Sequence, residues 1–325
     1  MARSGNTDPL SRRQAVCSVH VNGVDIVTEG FGDPAAPTVL LIGGAEASME
    51  WWDEEFARRL AATGHHVIRF DTRDTGGSTT FPVGEPPYTQ DDLLADVLGI
   101  LDAHALPAAH VVGMSMGGGL AQRLAVLHPG RVLTLTLMCT TPGGPDGSGQ
   151  TALPPMSEAL ERAFAEPATA PDWSDRQAVF DYFLSAERLF AGTLPLDEER
   201  LRRTAGRAFD RSPVPAAAGN HWLIGGGGSV RDRLRAITAP TLVLHGTADP
   251  LFPFGHAEAL AREIPGAVLV PLPGMGHRMP RAPPGTPWSR RSRSTRPAAR
   301  SAGPRRSRPS AVLLHTRSAS GHFCR

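Results

Sequence analysis

Val111-Val112-Gly113-Met114-Ser115-Met116-Gly117-Gly118-Gly119 contains the pattern G-x-S-x-G at residues 113–117. The run before it, Ala109-His110-Val111-Val112, is apolar and rich in β-branched residues. After it, Leu120–Leu127 (LAQRLAVL) places apolar residues at helical spacing. The serine is therefore expected on a sharp turn from a buried strand into a helix. A residue held in so sparsely allowed a conformation needs neighbours without side chains, so that strand and helix can approach closely. Its hydroxyl is then left beside the free N–H groups and the positive dipole end of the helix. Strand before and helix after favour a nucleophile over the alternative, a glycine-rich turn with an incidental serine.

Upstream, residues 17–32 alternate in polarity around Asn22-Gly23 and predict a β-hairpin. Thr38–Ile42 (TVLLI) reads as a strand covered on both faces, ending in Gly43-Gly44-Ala45. Residues 50–63 are expected as an amphipathic helix, with Trp52, Phe56 and Leu60 at i, i+4 and i+8. A strand at 67–70 leads into 71–78 (DTRDTGGS), and 91–106 is helical. This alternation implies the α/β class, with a doubly wound, mostly parallel sheet. Residues 141–149 (TPGGPDGSG) interrupt it. From there to 228 the pattern is helical at 156–166, 175–191 and 197–209, an inserted helical cap placed to form a lid. Gly225–Gly228 is expected as a flexible hinge, because no strand precedes it and the chain has no lysine for a phosphate loop. The sheet resumes with Thr241–Leu244, a helix at 254–264 and a strand at 267–272. The expected organisation is a flexible stretch 1–16, a core of 17–140 and 229–277, a cap of 141–228 and a tail of 278–325.

An acylating serine needs a base, and the base needs an orienting acid. After a G-x-S-x-G turn these follow in the order acid, then histidine, each at the carboxyl end of a strand. Asp249, in HGTADP (245–250), and His277, in PGMGH (273–277), meet both conditions. Alone, each reads as ordinary, a turn-initiating Asp-Pro and a histidine in a Gly-rich loop. Together with Ser115 they predict a catalytic triad. His65, His66, His128 and His245 read as structural. Backbone donors for a developing oxyanion are expected from Met116 and from the turn at Gly44 or Ala45, with Gly44 favoured. Ala45, Trp51 and Met114 are candidates for substrate contact, although aromatics and methionines at such places more often serve a core. Arg73 is expected to pair locally with Asp71 or Asp74.

At 325 residues the chain can bury a large core. Its cysteines, Cys17, Cys139 and Cys324, lack metal-ligand spacing, and neither metal nor cofactor is expected. The formal net charge of +1 hides an asymmetry: twelve of the 33 basic residues and none of the 32 acidic ones follow His277. A nucleic-acid partner, reached through arginine clusters at 290–293 and 305–308, is disfavoured because no aromatic-studded basic fold accompanies them. Without the apolar core of a signal peptide, or the roughly 18 apolar residues of a membrane span, a cytoplasmic protein off the membrane is expected, as monomer or homodimer.

The segments FGDP (31–34), the GG turn (43–44), EFARRLA (55–61), HVIRFDTRDTGGSTT (66–80), AHVVGMSMG (109–117) and LPGMGH (272–277) make the chain resemble an α/β-hydrolase with a helical cap. Within that superfamily it is similar to the aclacinomycin methylesterase group. The resemblance implies Ser115, Asp249 and His277 as triad, Gly44 and Met116 as oxyanion donors, and cofactor-free hydrolysis of a methyl ester on an aromatic polyketide. It ends at His277, after which that group has a helix packed on the sheet. Here Arg278–Arg325 is rich in Pro, Ser and Arg and cannot bury enough surface to fold. It reads as a frame-shifted or degenerate C-terminus, which would leave the His277 loop less well held.

The expected function is a serine hydrolase cleaving an ester of a small lipophilic molecule through an acyl-enzyme. The same triad serves a lactonase, a C–C hydrolase or a peptidase, and an impaired site would leave a ligand binder. Epoxide hydrolases and dehalogenases are disfavoured, because they use a carboxylate where Ser115 stands.

Overall fold

A computed structural model of the chain describes residues 14–143, 151–166 and 169–279. The readings placed on 1–13, on 144–149 and on the tail from residue 280 lie outside the described residues. Gln14 is already engaged, its amide donating to Gly30 O at 2.8 Å.

Eight strands form one sheet: β1 (Cys17–Val21), β2 (Val24–Phe31), β3 (Thr38–Ile42), β4 (His66–Phe70), β5 (Ala109–Met114), β6 (Val132–Met138), β7 (Thr241–Gly246) and β8 (Val268–Leu272). Their order is β1-β2-β4-β3-β5-β6-β7-β8. The hairpin β1–β2 turns through Asn22 and Gly23, both at positive φ (47° and 76°), as a two-residue turn between twisted strands requires. β2 runs antiparallel to β1 and β4, and every other pairing is parallel. Strand order reverses between β3 and β5, so the chains leaving their carboxyl ends diverge and open a crevice there.

The uninterrupted apolar run of β3 follows from burial on both faces. Leu40 and Ile42 pack with Ile68 and Val111 on one side, while Val39 and Leu41 pack with Phe56, Leu60 and Val67 on the other. α1 (Glu54–Ala61) covers the second face; α2 (Gln90–Ala103) and α3 (Met116–Leu127) contribute to the first. The cap carries α4 (Glu158–Ala165), α5 (Arg176–Phe190) and α6 (Glu198–Arg211), and α7 (Gly255–Glu263) returns to the sheet. In the cap, Phe180 and Leu184 pack with Leu201 and Ala205 in a small core of their own, against which Trp51 rests.

Three readings are corrected. The helix expected over 50–63 begins only at Glu54, because the Asp53 side chain caps it by accepting from Glu55 N. Residues 49–51 before it form a tight turn. The wholly buried Arg69 holds that turn, pairing with Glu29 at 2.5 Å and donating to the carbonyls of Met49 and Trp52. Arg73 pairs with neither sequence neighbour but with Asp96 of α2, at 2.6 and 2.8 Å. Asp71 and Asp74 are occupied by the cap: Arg211 meets Asp71 at 2.5 Å, and Asn220 donates to Asp74 at 3.0 Å. Gly225–Gly228 wraps the first turn of α2, with Gly225 O accepting from Gln90 N and Gly227 N donating to Asp91. Positive φ at Gly226 and Gly227 (81° and 63°), which this path needs, accounts for the glycines better than a hinge does.

Candidate active site

Ser115 joins β5 to α3 at φ 52° and ψ −120°, a region rarely open to a side-chain-bearing residue. Its surroundings over-determine that conformation. Ser115 N–H donates to Met138 O at 3.0 Å, while its carbonyl accepts from Thr140 Oγ1 at 2.8 Å and from Gly118 N at 2.9 Å. A Cβ at Gly113 would run into Gly117 O, and one at Gly117 into the carbonyls of Ile42 and Gly43. Glycine is therefore obligatory on both sides of the turn.

Three side chains from separate loops converge. Ser115 Oγ lies 3.0 Å from His277 Nε2, and His277 Nδ1 lies 2.9 Å from Asp249 Oδ2. A carboxylate only accepts, so Nδ1 carries the proton and the Nε2 lone pair faces the serine hydroxyl. The other Asp249 oxygen accepts from the amides of Leu251 and Phe252 at 3.0 and 2.9 Å. Burial pushes the Asp249 pKa up, but the hydrogen bond and electrostatic attraction of the His277 ring outweigh it and hold the carboxyl below its ordinary value. The His277 ring stands between Phe190 of the cap (centroids 5.9 Å apart) and Phe252 (5.3 Å).

The loop bearing His277 is better held than its abrupt sequence context implied. His277 N–H donates to Phe190 O at 2.8 Å, Ala248 N–H to Met275 O at 3.0 Å, and Gly192 of the cap bridges Met275. Arg278 closes over Leu194 and Pro195, donating to their carbonyls at 3.1 and 3.4 Å. Contacts from the cap and from the end of β7 thus hold the loop.

Gly44 brings the turn after β3 against the serine: a Cβ there would stand 3.3 Å from Ser115 Cβ and 3.9 Å from Oγ. Met116 is the first residue of α3, where the amide has no carbonyl within the helix to bond. Above Ser115 opens a cavity of about 580 Å³, lined by Ala45, Trp51 and Met114 among others. Met49 and Trp52 are buried in the core instead.

Residues that sequence reading missed come from the cap and its approach. Phe183, Glu187 and Phe190 stand at i, i+4 and i+7 on α5 and line the cavity. A glutamate inside an apolar stripe was the available signal. Burial pushes the Glu187 carboxyl up to about 7, although Arg278, His277 and Arg200 pull it back. Glu46 also lines the cavity; burial raises its pKa despite the 2.7 Å hydrogen bond from Trp222 Nε1. Among the described residues no group of three His, Cys, Asp or Glu is placed to hold a metal ion, and no helix is long and apolar enough to cross a membrane.

A family model for the alpha/beta hydrolase fold matches residues 37–278. Rhodomycin D methylesterase DauP of Streptomyces sp. (strain C5) is 37% identical over 280 residues, covering 80% of this chain and 91% of that protein. Rhodomycin D methylesterase DnrP of Streptomyces peucetius is 36% identical over 283 residues, with coverage of 80% and 91%. Among solved structures, esterase RhEst1 from Rhodococcus sp. ECU1013 superposes with a TM-score of 0.68 at 21% identity, covering 86% of this chain and 98% of that one. At that identity the likeness concerns the fold alone.

Proposed function

This chain belongs to the α/β-hydrolase fold family, and we propose that it cleaves carboxylic esters with Ser115, His277 and Asp249 as its triad. The hydrogen bond from Ser115 Oγ to His277 Nε2, at 3.0 Å and continued to Asp249, is the observation that carries this reading. Ser115 Oγ attacks the ester carbonyl carbon while His277 Nε2 takes its proton. The carbonyl oxygen becomes an oxyanion, which the amides of Gly44 and Met116 receive. The C–O bond to the alcohol then breaks, and His277 returns the proton to the departing alkoxide. Water, deprotonated by His277, attacks the acyl carbon; the C–O bond to Ser115 Oγ breaks, the acid leaves and His277 returns the proton to Oγ. Asp249 keeps the imidazole in the required tautomer and stabilises its charged form.

The substrate we propose is a methyl ester on an aromatic polyketide, with methanol as the released alcohol. The names of the two methylesterase relatives support it. So does a cavity of about 580 Å³ walled by Trp51, Met114 and Phe183, a size suited to a bulky apolar acyl group.

Treatment with a fluorophosphonate, followed by intact mass measurement, tests the triad. One adduct is expected on the wild type and none on Ser115→Ala. A folded wild type that takes no adduct would overturn the reading. Methanol release from methyl esters of multi-ring aromatic acids, against small aliphatic methyl esters, tests the substrate class.

A further inference from the structure

We infer that His245 is a positioning residue that holds the Asp249 turn, and through it His277, in catalytic geometry; this rests on the triad reading above. His245 lies one residue before the end of β7 and is wholly buried. Its Nε2 stands 2.7 Å from Phe252 O and 3.5 Å from Asp249 Oδ2. Both of those oxygens accept, so Nε2 carries the proton. Burial, the largest influence, lowers the pKa of the ring and keeps it neutral. Its other nitrogen, Nδ1, is buried without a hydrogen-bond partner among the described residues. A half-satisfied imidazole in a core costs stability that an apolar side chain of similar shape would not. Packing alone gives no reason for histidine here.

The 2.7 Å bond supplies one. Phe252 closes the turn that begins at Asp249, and its amide together with that of Leu251 holds Asp249 Oδ1. Its ring meets the His277 imidazole edge-on, at 5.3 Å and 78°. Drawing Phe252 O onto β7 therefore aims two amides at the acid and sets the aromatic wall beside the base. Phe254, at 6.2 Å, holds the His245 ring edge-on in turn. The role is indirect, because His245 touches neither Ser115 nor the cavity.

The test compares His245→Leu with His245→Gln, whose side-chain amide can donate to the same carbonyl, on an activated ester. The groups facing His277 are Asp249 from the β7 loop, Glu187 from α5 and Arg278 beside it, and neither substitution changes their identity. His245→Leu is expected to lower kcat about ten- to hundredfold, the scale on which a misplaced catalytic group costs rate, with KM changed less than about twofold and a thermal midpoint lowered only by the one bond lost at Phe252 O. With the carboxylate no longer aimed at Nδ1, fluorophosphonate labelling of Ser115 slows together with kcat. His245→Gln should restore most of both. Wild-type kcat and labelling rate in His245→Leu would overturn the inference, and so would equal impairment in both variants. Should His245→Leu not fold, His245→Met makes the same comparison. Fluorophosphonate labelling separates the two levels. A wild type that takes no adduct sinks the triad and this inference together. A labelled wild type with an equally fast His245→Leu sinks the inference alone.

Discussion

At the floor of the cavity, backbone does most of the holding. Ser115 is fixed by Met138 O and by amides of α3, Asp249 by the amides of Leu251 and Phe252, and the His277 loop by Phe190 O and Ala248 N. At the roof, α5, α6 and the segment after them reach the body largely through side chains: Arg211 to Asp71 and Glu50, Arg200 to Asp53, Asn220 to Asp74, and His221 to the carbonyl of Arg73. Backbone contacts tolerate exchange of most side chains but not displacement of the chain, whereas side-chain contacts are lost one residue at a time. The floor is therefore suited to fixing one chemistry, and the roof to varying what is admitted.

The sharpest division comes at Ser115. Ser115→Ala should lower kcat by about 10⁴-fold or more, while leaving KM and the unfolding midpoint close to wild type, because the backbone bonds that hold residue 115 do not involve its hydroxyl. Steady-state kinetics beside thermal unfolding check this, and a large fall in the midpoint would show that the floor depends on side chains after all. Gly276→Ala strikes a place where floor and roof share backbone, since a Cβ there would run into Phe190 O and the chain at Ala191–Gly192. It should cost about 1–3 kcal/mol by overpacking and slow fluorophosphonate labelling as His277 is displaced. A lower urea midpoint with unchanged labelling would mean that cap and base are not coupled.

Arg211→Ala tests the roof by itself. Asp71 is wholly buried and would keep its bonds from Met49 N and Gly77 N but lose its cation. Breaking such a pair costs about 3 kcal/mol. The expected signature is a lower unfolding midpoint and a several-fold higher KM for a bulky ester, with kcat on a small activated ester little changed. Equal losses for both esters would erase the distinction between floor and roof.

The same division explains what could be read from the sequence. The sheet was legible because strands buried on both faces must be continuous apolar runs, as in TVLLI at 38–42. The serine turn was legible because only glycine fits at 113 and 117. Asp249 and His277 could be placed because each follows a recognisable strand. Side-chain pairing across the fold could not. Arg73 has carboxylates one and two residues away, yet packing delivers Asp96 of α2 and gives Asp71 and Asp74 to the cap. The helix at 176–190 was foreseen, but it has two apolar faces. Phe180 and Leu184 bury against α6, while Phe183 and Phe190 turn to the cavity, and periodicity alone cannot say which neighbour each face meets.

Glu187, on that second face, gives the most discriminating effect. Its folded pKa of about 7 lies above the ordinary 4.5 because burial disfavours the charge. A group raised on folding contributes fully below the unfolded value and loses that contribution as pH climbs through the folded one. The wild type should therefore lose stability between about pH 4.5 and 7 relative to Glu187→Gln, which has no proton to lose there. The gain in unfolding midpoint on substitution should be small at pH 5 and larger at pH 8. At pH 8 the variant should also admit a carboxylate-bearing ester with a lower KM, since the charge opposing it is gone, while a neutral ester gains less. A midpoint difference that does not vary with pH would show that Glu187 stays in water rather than in the cavity wall, and selectivity would then have to be sought elsewhere in the roof.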